Sequence, residues 1–206
     1  MIYKIESHHS LDNDNVKAKT GKTMDEWFSF QEENGGLSIT RRDRTQTIFT
    51  DFNLDIWWST TLCVEYEAHK GKREKDGLYK GYCICSTKTI STSLDRAWTA
   101  WTHSDLLGSW FGPSMEANTV DGGMYKNADC DQGKYLRVRV NKDLRFTFEN
   151  PDFSSVSLVD VVIQDKGNGK CYVQVTHDRI QTRAEADGIR DAWAEALSKL
   201  KAILEG

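Results

Sequence analysis

The C-terminal end of the chain limits the fold more than any other segment. Thr182 and Glu185 have the spacing of a capping box, in which hydroxyl and carboxylate satisfy the first turn of a helix. Behind them Ala186, Ile189, Trp193, Ala196, Leu197, Leu200 and Leu204 recur at intervals of three and four, which gathers them on one stripe. A helix of about 24 residues is about 36 Å long. Its apolar stripe cannot be buried without a matching surface of similar length.

The preceding hundred or so residues supply that surface. Tyr82, Ile84, Ser86, Lys88 and Ile90 alternate with Cys83, Cys85, Thr87 and Thr89, the period of two of a strand. Two short helices follow: one capped among Ser91, Thr92 and Ser93 with Leu94, Ala97, Trp98 and Trp101 inside, the other over about His103 to Trp110. Turn residues then recur at short spacing, at Asp121-Gly-Gly123, Asp131-Gln-Gly133, Asn141-Lys-Asp143, Asn150-Pro151 and Lys166-Gly-Asn-Gly169. They predict four or five antiparallel strands. Leu136, Val138 and Val140 are expected on one face with Arg137 and Arg139 on the other, and Leu144, Phe146 and Phe148 inward with Arg145 and Thr147 outward. The order strand, two helices, strands and one long helix predicts an α+β helix-grip fold, with an antiparallel sheet wrapped on the C-terminal helix.

The first 71 residues have a different style, that of a small all-α bundle. Helices are predicted from Ser10 to Lys19 with Gly21 as terminator, from Met24 to Asn34 behind a Thr23/Glu26 capping box, from Thr40, and from Asn53 or Asp55 to Lys70. The run Lys70 to Gly77 is charged, glycine-bounded and without a large apolar residue. It reads as a solvated linker. The domain division expected is a bundle at 1–71, a linker at 72–79 and the sheet domain at 80–206.

Two resemblances follow from particular residues. Ala97-Trp-Thr-Ala-Trp-Thr102, Leu107, Trp110-Phe-Gly-Pro113, Asp121-Gly-Gly123, Gly133, Leu144-Arg-Phe-Thr-Phe148, Gly169, Val173-Gln-Val-Thr-His177 and Trp193 occur in an order that resembles the START-like (SRPBCC) superfamily. The branch it is most similar to is that of homologues of the heat-shock protein 90 ATPase activator. Asn141 departs from the proline that many relatives carry before the next hairpin. Thr20-Gly-Lys-Thr-Met-Asp-Glu-Trp27 is similar to the TGKxxEEW signature of a small bacterial helical domain of unknown function. The first resemblance implies a cavity between sheet and terminal helix, a small hydrophobic or amphipathic ligand, or a heat-shock protein 90-type chaperone as partner. The eukaryotic activators also carry an NxNNWHW motif, which Phe52-Asn-Leu-Asp-Ile-Trp-Trp58 does not reproduce.

Other chemistry is poorly represented. No HExxH or zinc-finger spacing involves His8, His9, His69, His103 or His177, and His8-His9 are expected in a frayed terminus. Cys83 and Cys85 share a strand face without a third ligand nearby and read as small core residues. There is no GxSxG elbow, and Thr20-Gly-Lys-Thr23 lacks the upstream glycine of a phosphate loop, position 16 being Val16. Cys171 and His177 lie on one strand roughly 20 Å apart. No acid/base set stands out on the inward faces, so no catalytic residue, metal or cofactor is expected. With 31 acidic and 27 basic residues the net charge is −4, a poor match to a phosphate backbone. The longest charge-free apolar stretches, such as Ile56 to Val64, are far short of the roughly 20 residues of a membrane span. The five cysteines form no CxxC pair, and with no signal-peptide pattern at the N-terminus they predict a cytoplasmic protein with reduced thiols.

The expected function is therefore non-catalytic binding of a small apolar ligand, with chaperone activation and a cyclase or hydrolase activity as the rivals. The residues expected to line the cavity are Trp110, Phe111, Met124, Phe146, Phe148, Val175, His177, Trp193 and Leu197. His177 has two readings, a strand-end histidine satisfied by a backbone partner or a polar handle at the cavity mouth. The row Lys134, Arg137, Arg139 and Arg145 is a solvated sheet face or a seat for an acidic partner.

Overall fold

The structure is a computed structural model that describes all 206 residues. Seven helices and seven strands follow one another as α1 (Asn13–Thr20), α2 (Met24–Glu33), α3 (Arg41–Asp51), α4 (Ile56–His69), β1 (Tyr82–Ile90), α5 (Leu94–Thr102), α6 (Ser104–Trp110), β2 (Glu116–Ala117), β3 (Met124–Lys126), β4 (Gln132–Arg139), β5 (Asp143–Phe148), β6 (Ser157–Gly167), β7 (Lys170–Ile180) and α7 (Arg183–Glu205). They form two compact units, Ser7–Gly81 and Met1–Glu6 with Tyr82–Gly206.

In the larger unit one antiparallel sheet has the order β1-β7-β6-β5-β4-β3-β2. β1 and β2 are consecutive strands at opposite edges, so α5 and α6 carry the chain across the sheet between them. The α7 capping box forms as expected from Thr182 and Glu185, and every residue of the predicted stripe is buried. The two-residue turn between β6 and β7 has positive φ at both Asn168 (54°) and Gly169 (66°), the twist that closes a tight hairpin. Asn141 has φ 55°, which the fixed proline ring cannot adopt, so proline is excluded from this turn.

Two sequence expectations fail in the sheet for identifiable reasons. β4 carries a bulge between Tyr135 and Arg137. The extra residue breaks the period of two: Tyr135 turns into the core, while Leu136 is 45% and Val140 74% exposed. Leu136, Val138 and Val140 therefore do not form an inward face. Cys83 and Cys85 are also both exposed, because the buried side of β1 is taken by Tyr82, Ile84 and Ile90. The arginines of the basic row are answered within the sheet. Arg137 spans Asp143 (2.8 Å) and Asp160 (3.0 Å), Arg139 pairs with Asp143, and Arg145 reaches Asp160 (3.5 Å). Six strands follow the two helices, one more than the turn spacing suggested, because the two-residue β2 has too few residues to show a period.

Residues 1–6 pack against this unit. Tyr3 meets Phe148 and Phe153 edge-on, and the Met1 amino group lies 2.5 Å from the fully buried Asp131. Asp131, read as a turn residue in the sequence, also accepts from Asn127 and Asn150.

The smaller unit explains its own signature. The Trp27 indole donates to Thr20 Oγ1 (2.7 Å), which in turn donates to Val16 O; Gly21 terminates α1 at φ 83°, and Thr23 with Glu26 caps α2. Thr20, Gly21, Thr23, Glu26 and Trp27 thus fix the α1–α2 corner. Trp27 sits with Val16, Ile48, Trp58, Leu62 and Cys63 in the core of this unit. Glu67 is buried between Arg41 and Arg44; burial opposes its ionisation, but the two guanidinium groups hold its carboxyl below the usual range. His9 is not frayed: it stacks on Trp58 at 5.4 Å and meets Trp57 at 4.9 Å. The charged stretch after α4 is a small hairpin in which Arg73 bridges to Tyr79 and covers its ring at 4.2 Å.

Gly188 of α7 faces the Lys4 carbonyl, and a Cβ there would lie 2.4 Å from that oxygen. Alanine in a helix interior gains up to about 1 kcal/mol over glycine. Overpacking against backbone costs about 1–3 kcal/mol. Gly188→Ala is thus expected to lower stability in urea unfolding; an increase would mean that the segment around Lys4 gives way without penalty.

Candidate functional site

The space between sheet and helices is built by inward positions of β3–β7 on one side and of α5, α6 and α7 on the other. It is filled by rings. Trp101 lies 4.6 Å from Trp110 and 6.1 Å from Trp193, Phe111 is 5.7 Å from Trp193, and Phe148 is 5.1 Å from His177, measured between ring centroids. What remains is a void of about 10 Å³ walled by Trp101, Leu107, Phe111, Tyr125, Tyr135, Leu144 and Phe146. That is about the room of one water molecule. Ligand pockets run to about 300–1,000 Å³.

The expected lining residues separate into groups. Phe111 and Phe146 wall the void. Phe148, Val175, His177, Trp193 and Leu197 are buried but only pack around it. Trp110 is nearly buried, donates its indole N–H to Ala100 O (3.0 Å), and forms part of an outer groove of about 290 Å³ with Gly108, Gly112, Ala192 and Ala196. Met124 is misplaced by the sequence argument. It is 58% exposed, because alternation along β3 sends Tyr125 inward in its stead, and it borders a separate surface groove. Trp101, Leu107, Tyr125, Tyr135 and Leu144 were missed as wall residues. Trp101 and Leu144 carried an inward signal in the sequence, whereas Tyr135 is hidden by the bulge. The Trp101 indole N–H is buried and has no acceptor.

His177 is fully buried, and both of its ring nitrogens are engaged by side chains, so neither the backbone partner nor an opening at a cavity mouth is present. Trp193 Nε1–H donates to Nδ1 (3.1 Å), which leaves the ring proton on Nε2 to donate to Ser157 Oγ (2.7 Å). Ser157 completes the chain by donating to Phe148 O (3.2 Å). Burial without a compensating anion pushes the imidazole down to about 3, so it is neutral at physiological pH. The chain thus joins β7, β6, β5 and α7 through one imidazole.

The sign of the pH dependence follows. Between pH 6.5 and about 3 the unfolded chain binds a proton at His177 that the folded chain does not, so stability falls as pH falls. The loss is about 1.4 kcal/mol per pH unit, or about 2 kcal/mol between neutral pH and pH 5. Urea unfolding at several pH values measures it, and His177→Gln, which keeps one acceptor and one donor, is expected to flatten the curve over that window. An unchanged slope would place the acid sensitivity elsewhere.

The model of one protein family, described as "Activator of Hsp90 ATPase homolog 1-like protein", matches residues 91–205. No curated protein sequence matches the chain. Among solved structures, PFC0360w, an HSP90 activator from Plasmodium falciparum, is 16% identical with a TM-score of 0.56, covering 60% of this chain and 96% of that one. The Aha1 dimer from Colwellia psychrerythraea is 21% identical with a TM-score of 0.55, at 60% and 96% coverage. CalU16 from Micromonospora echinospora is 16% identical with a TM-score of 0.54, at 59% and 75% coverage. At these identities the structures share the START-like fold with this chain. No helix of the chain is long and apolar enough to cross a membrane. The family match covers more than half of the residues and falls wholly within the sheet unit, and by it the chain belongs to the Activator of Hsp90 ATPase homolog 1-like family.

Proposed function

We propose that this protein acts as a binding module whose partner is another protein, an ATPase chaperone of the heat-shock protein 90 type, with residues 7–81 as an accessory domain. The observation that carries this reading is the filled interior. A helix-grip unit with a void of about 10 Å³ has its recognition chemistry on its outside, at grooves such as the one beside Trp110. The family description supplies the partner class. The test is the rate of ATP hydrolysis by the chaperone from the same source, with and without the full chain. A several-fold stimulation that survives Tyr135→Phe, a change confined to the void wall, is expected. No stimulation at saturating protein would refute the proposal.

A second reading, a small apolar ligand within the sheet unit, is favoured by one specific feature. The void is walled by aromatic and aliphatic side chains, and beside it the Trp101 N–H lacks an acceptor. Buried donors are nearly always paired. A ligand with one acceptor oxygen would satisfy it after displacing the rings. Native mass spectrometry of freshly purified protein tests this: a reproducible extra mass lost on denaturation supports a carrier, and a clean apo mass counts against it.

A further inference from the structure

Val120, Met124 and Leu136 are exposed apolar side chains at the β3–β4 end of the sheet. Such residues are ordinary when scattered and mark contact surfaces when gathered. Here the backbone gathers them. Met124 pairs with Lys134 across β3 and β4, and Leu136 follows two residues further along β4. Residues on such a cross-strand diagonal are about 7–8 Å apart, within reach of long side chains. The Tyr135 carbonyl accepts from Gly122 N–H and the Tyr135 N–H donates to the Gly123 carbonyl, both at 2.8 Å, which pins the turn that carries Val120 alongside β4. Leu136 is also the surplus residue of the bulge: Tyr135 pairs with Phe146 and Arg137 with Arg145, so Leu136 has no partner in β5. Bulges of this kind re-aim a side chain.

The centre of this patch is charged. Lys134 is exposed between Met124 and Leu136, and a Cβ at Gly122 would lie 3.9 Å from its Cε, so its stem runs over that bare glycine. The carboxylates around it are engaged elsewhere. Asp121 Oδ1 accepts from Val138 N–H (2.6 Å), Glu116 pairs with Lys126 (3.1 Å), and Asp143 and Asp160 are shared among Arg137, Arg139 and Arg145. The face therefore carries an excess of positive charge on a chain of net charge −4. Covering the apolar side chains also removes water from the ammonium, and a buried charge without a partner is costly. A protein that covers this patch must bring a carboxylate to Lys134. It cannot add a strand at the adjoining edge, because Ser104 Oγ accepts from Ala117 N–H and donates to Ala117 O, each at 3.3 Å, and so occupies the groups that β2 turns away from the sheet.

We propose that Val120, Met124, Lys134 and Leu136 form a docking surface for an acidic segment of a partner protein, a carboxylate flanked by apolar side chains. The identity of that partner, the heat-shock protein 90-type chaperone, rests on the reading above; the chemistry of the segment rests on this face.

The test is the concentration of the full chain that half-saturates stimulation of the chaperone's ATP hydrolysis. Lys134→Glu is expected to raise it about tenfold, the loss of one central contact. Met124→Gln and Leu136→Gln should each raise it several-fold. Lys166→Glu, the same reversal at an exposed lysine of β6, should leave it unchanged. All four positions are exposed, and circular dichroism verifies that each variant is folded. In a parallel footprint, bound chaperone should shield Lys134 from acetylation while Lys166 stays reactive. Undiminished potency of both Lys134→Glu and Leu136→Gln, or an equal loss in Lys166→Glu, would overturn the docking surface and leave the chaperone reading standing. No stimulation by the unaltered chain would overturn both.

Discussion

The larger unit depends on seating the apolar stripe of α7 in the concave face of the sheet. Trp193 makes the central contact twice over. Its ring stacks with Trp101 and tilts against Phe111, which joins α7 to α5 and to the turn after α6. Its N–H enters the chain through His177 and Ser157 to the backbone of Phe148, which joins α7 to three strands. The apolar contacts supply the bulk of the driving force and have little directional preference. The hydrogen bonds are directional and lie in a dry interior, where an unpaired member costs about 1–3 kcal/mol. Register of helix against sheet is therefore held by polar atoms within an apolar core.

The same division of labour appears in the smaller unit. Trp27 is fully buried, and its indole donates to Thr20, a residue whose backbone sits at the end of the preceding helix. A short run of residues thus fixes a helix terminus, a helix start and the position of a core ring. Folding accounts for Thr20, Gly21, Thr23, Glu26 and Trp27 in this run.

The proposed function rests on how completely the rings close the interior. A helix-grip framework leaves room for a ligand only where inward side chains are small. Here Trp101, Trp110, Phe111, Phe146, Phe148 and Trp193 occupy that room. The outward face of the sheet is likewise accounted for, since Asp143 and Asp160 answer its arginines. The grooves on the outside of the unit remain.

Local chemistry in the sequence determined the elements. The caps at Thr23 and Thr182, the start at Thr40, the glycines that end α1 and α4, the alternation of β5 and the stripe of α7 were legible, because each depends on residues within a turn or two of itself; the caps of α4 and α5 were narrowed to Asn53 or Asp55 and to Ser91, Thr92 or Ser93, and the structure selects Asp55 and Ser93. The helix-grip order followed from them. Tertiary structure alone decided which side of a strand faces inward after a bulge, and so exposed Leu136, buried Tyr135 and placed Met124 outside. It also decided that Cys83 and Cys85 lie in solvent, and that the partners of His177 come from β6 and α7. A bulge is set by the pairing of two strands, and burial by what packs from distant segments. Neither is encoded in the period of a single strand, which is why the candidate site was less legible than the fold.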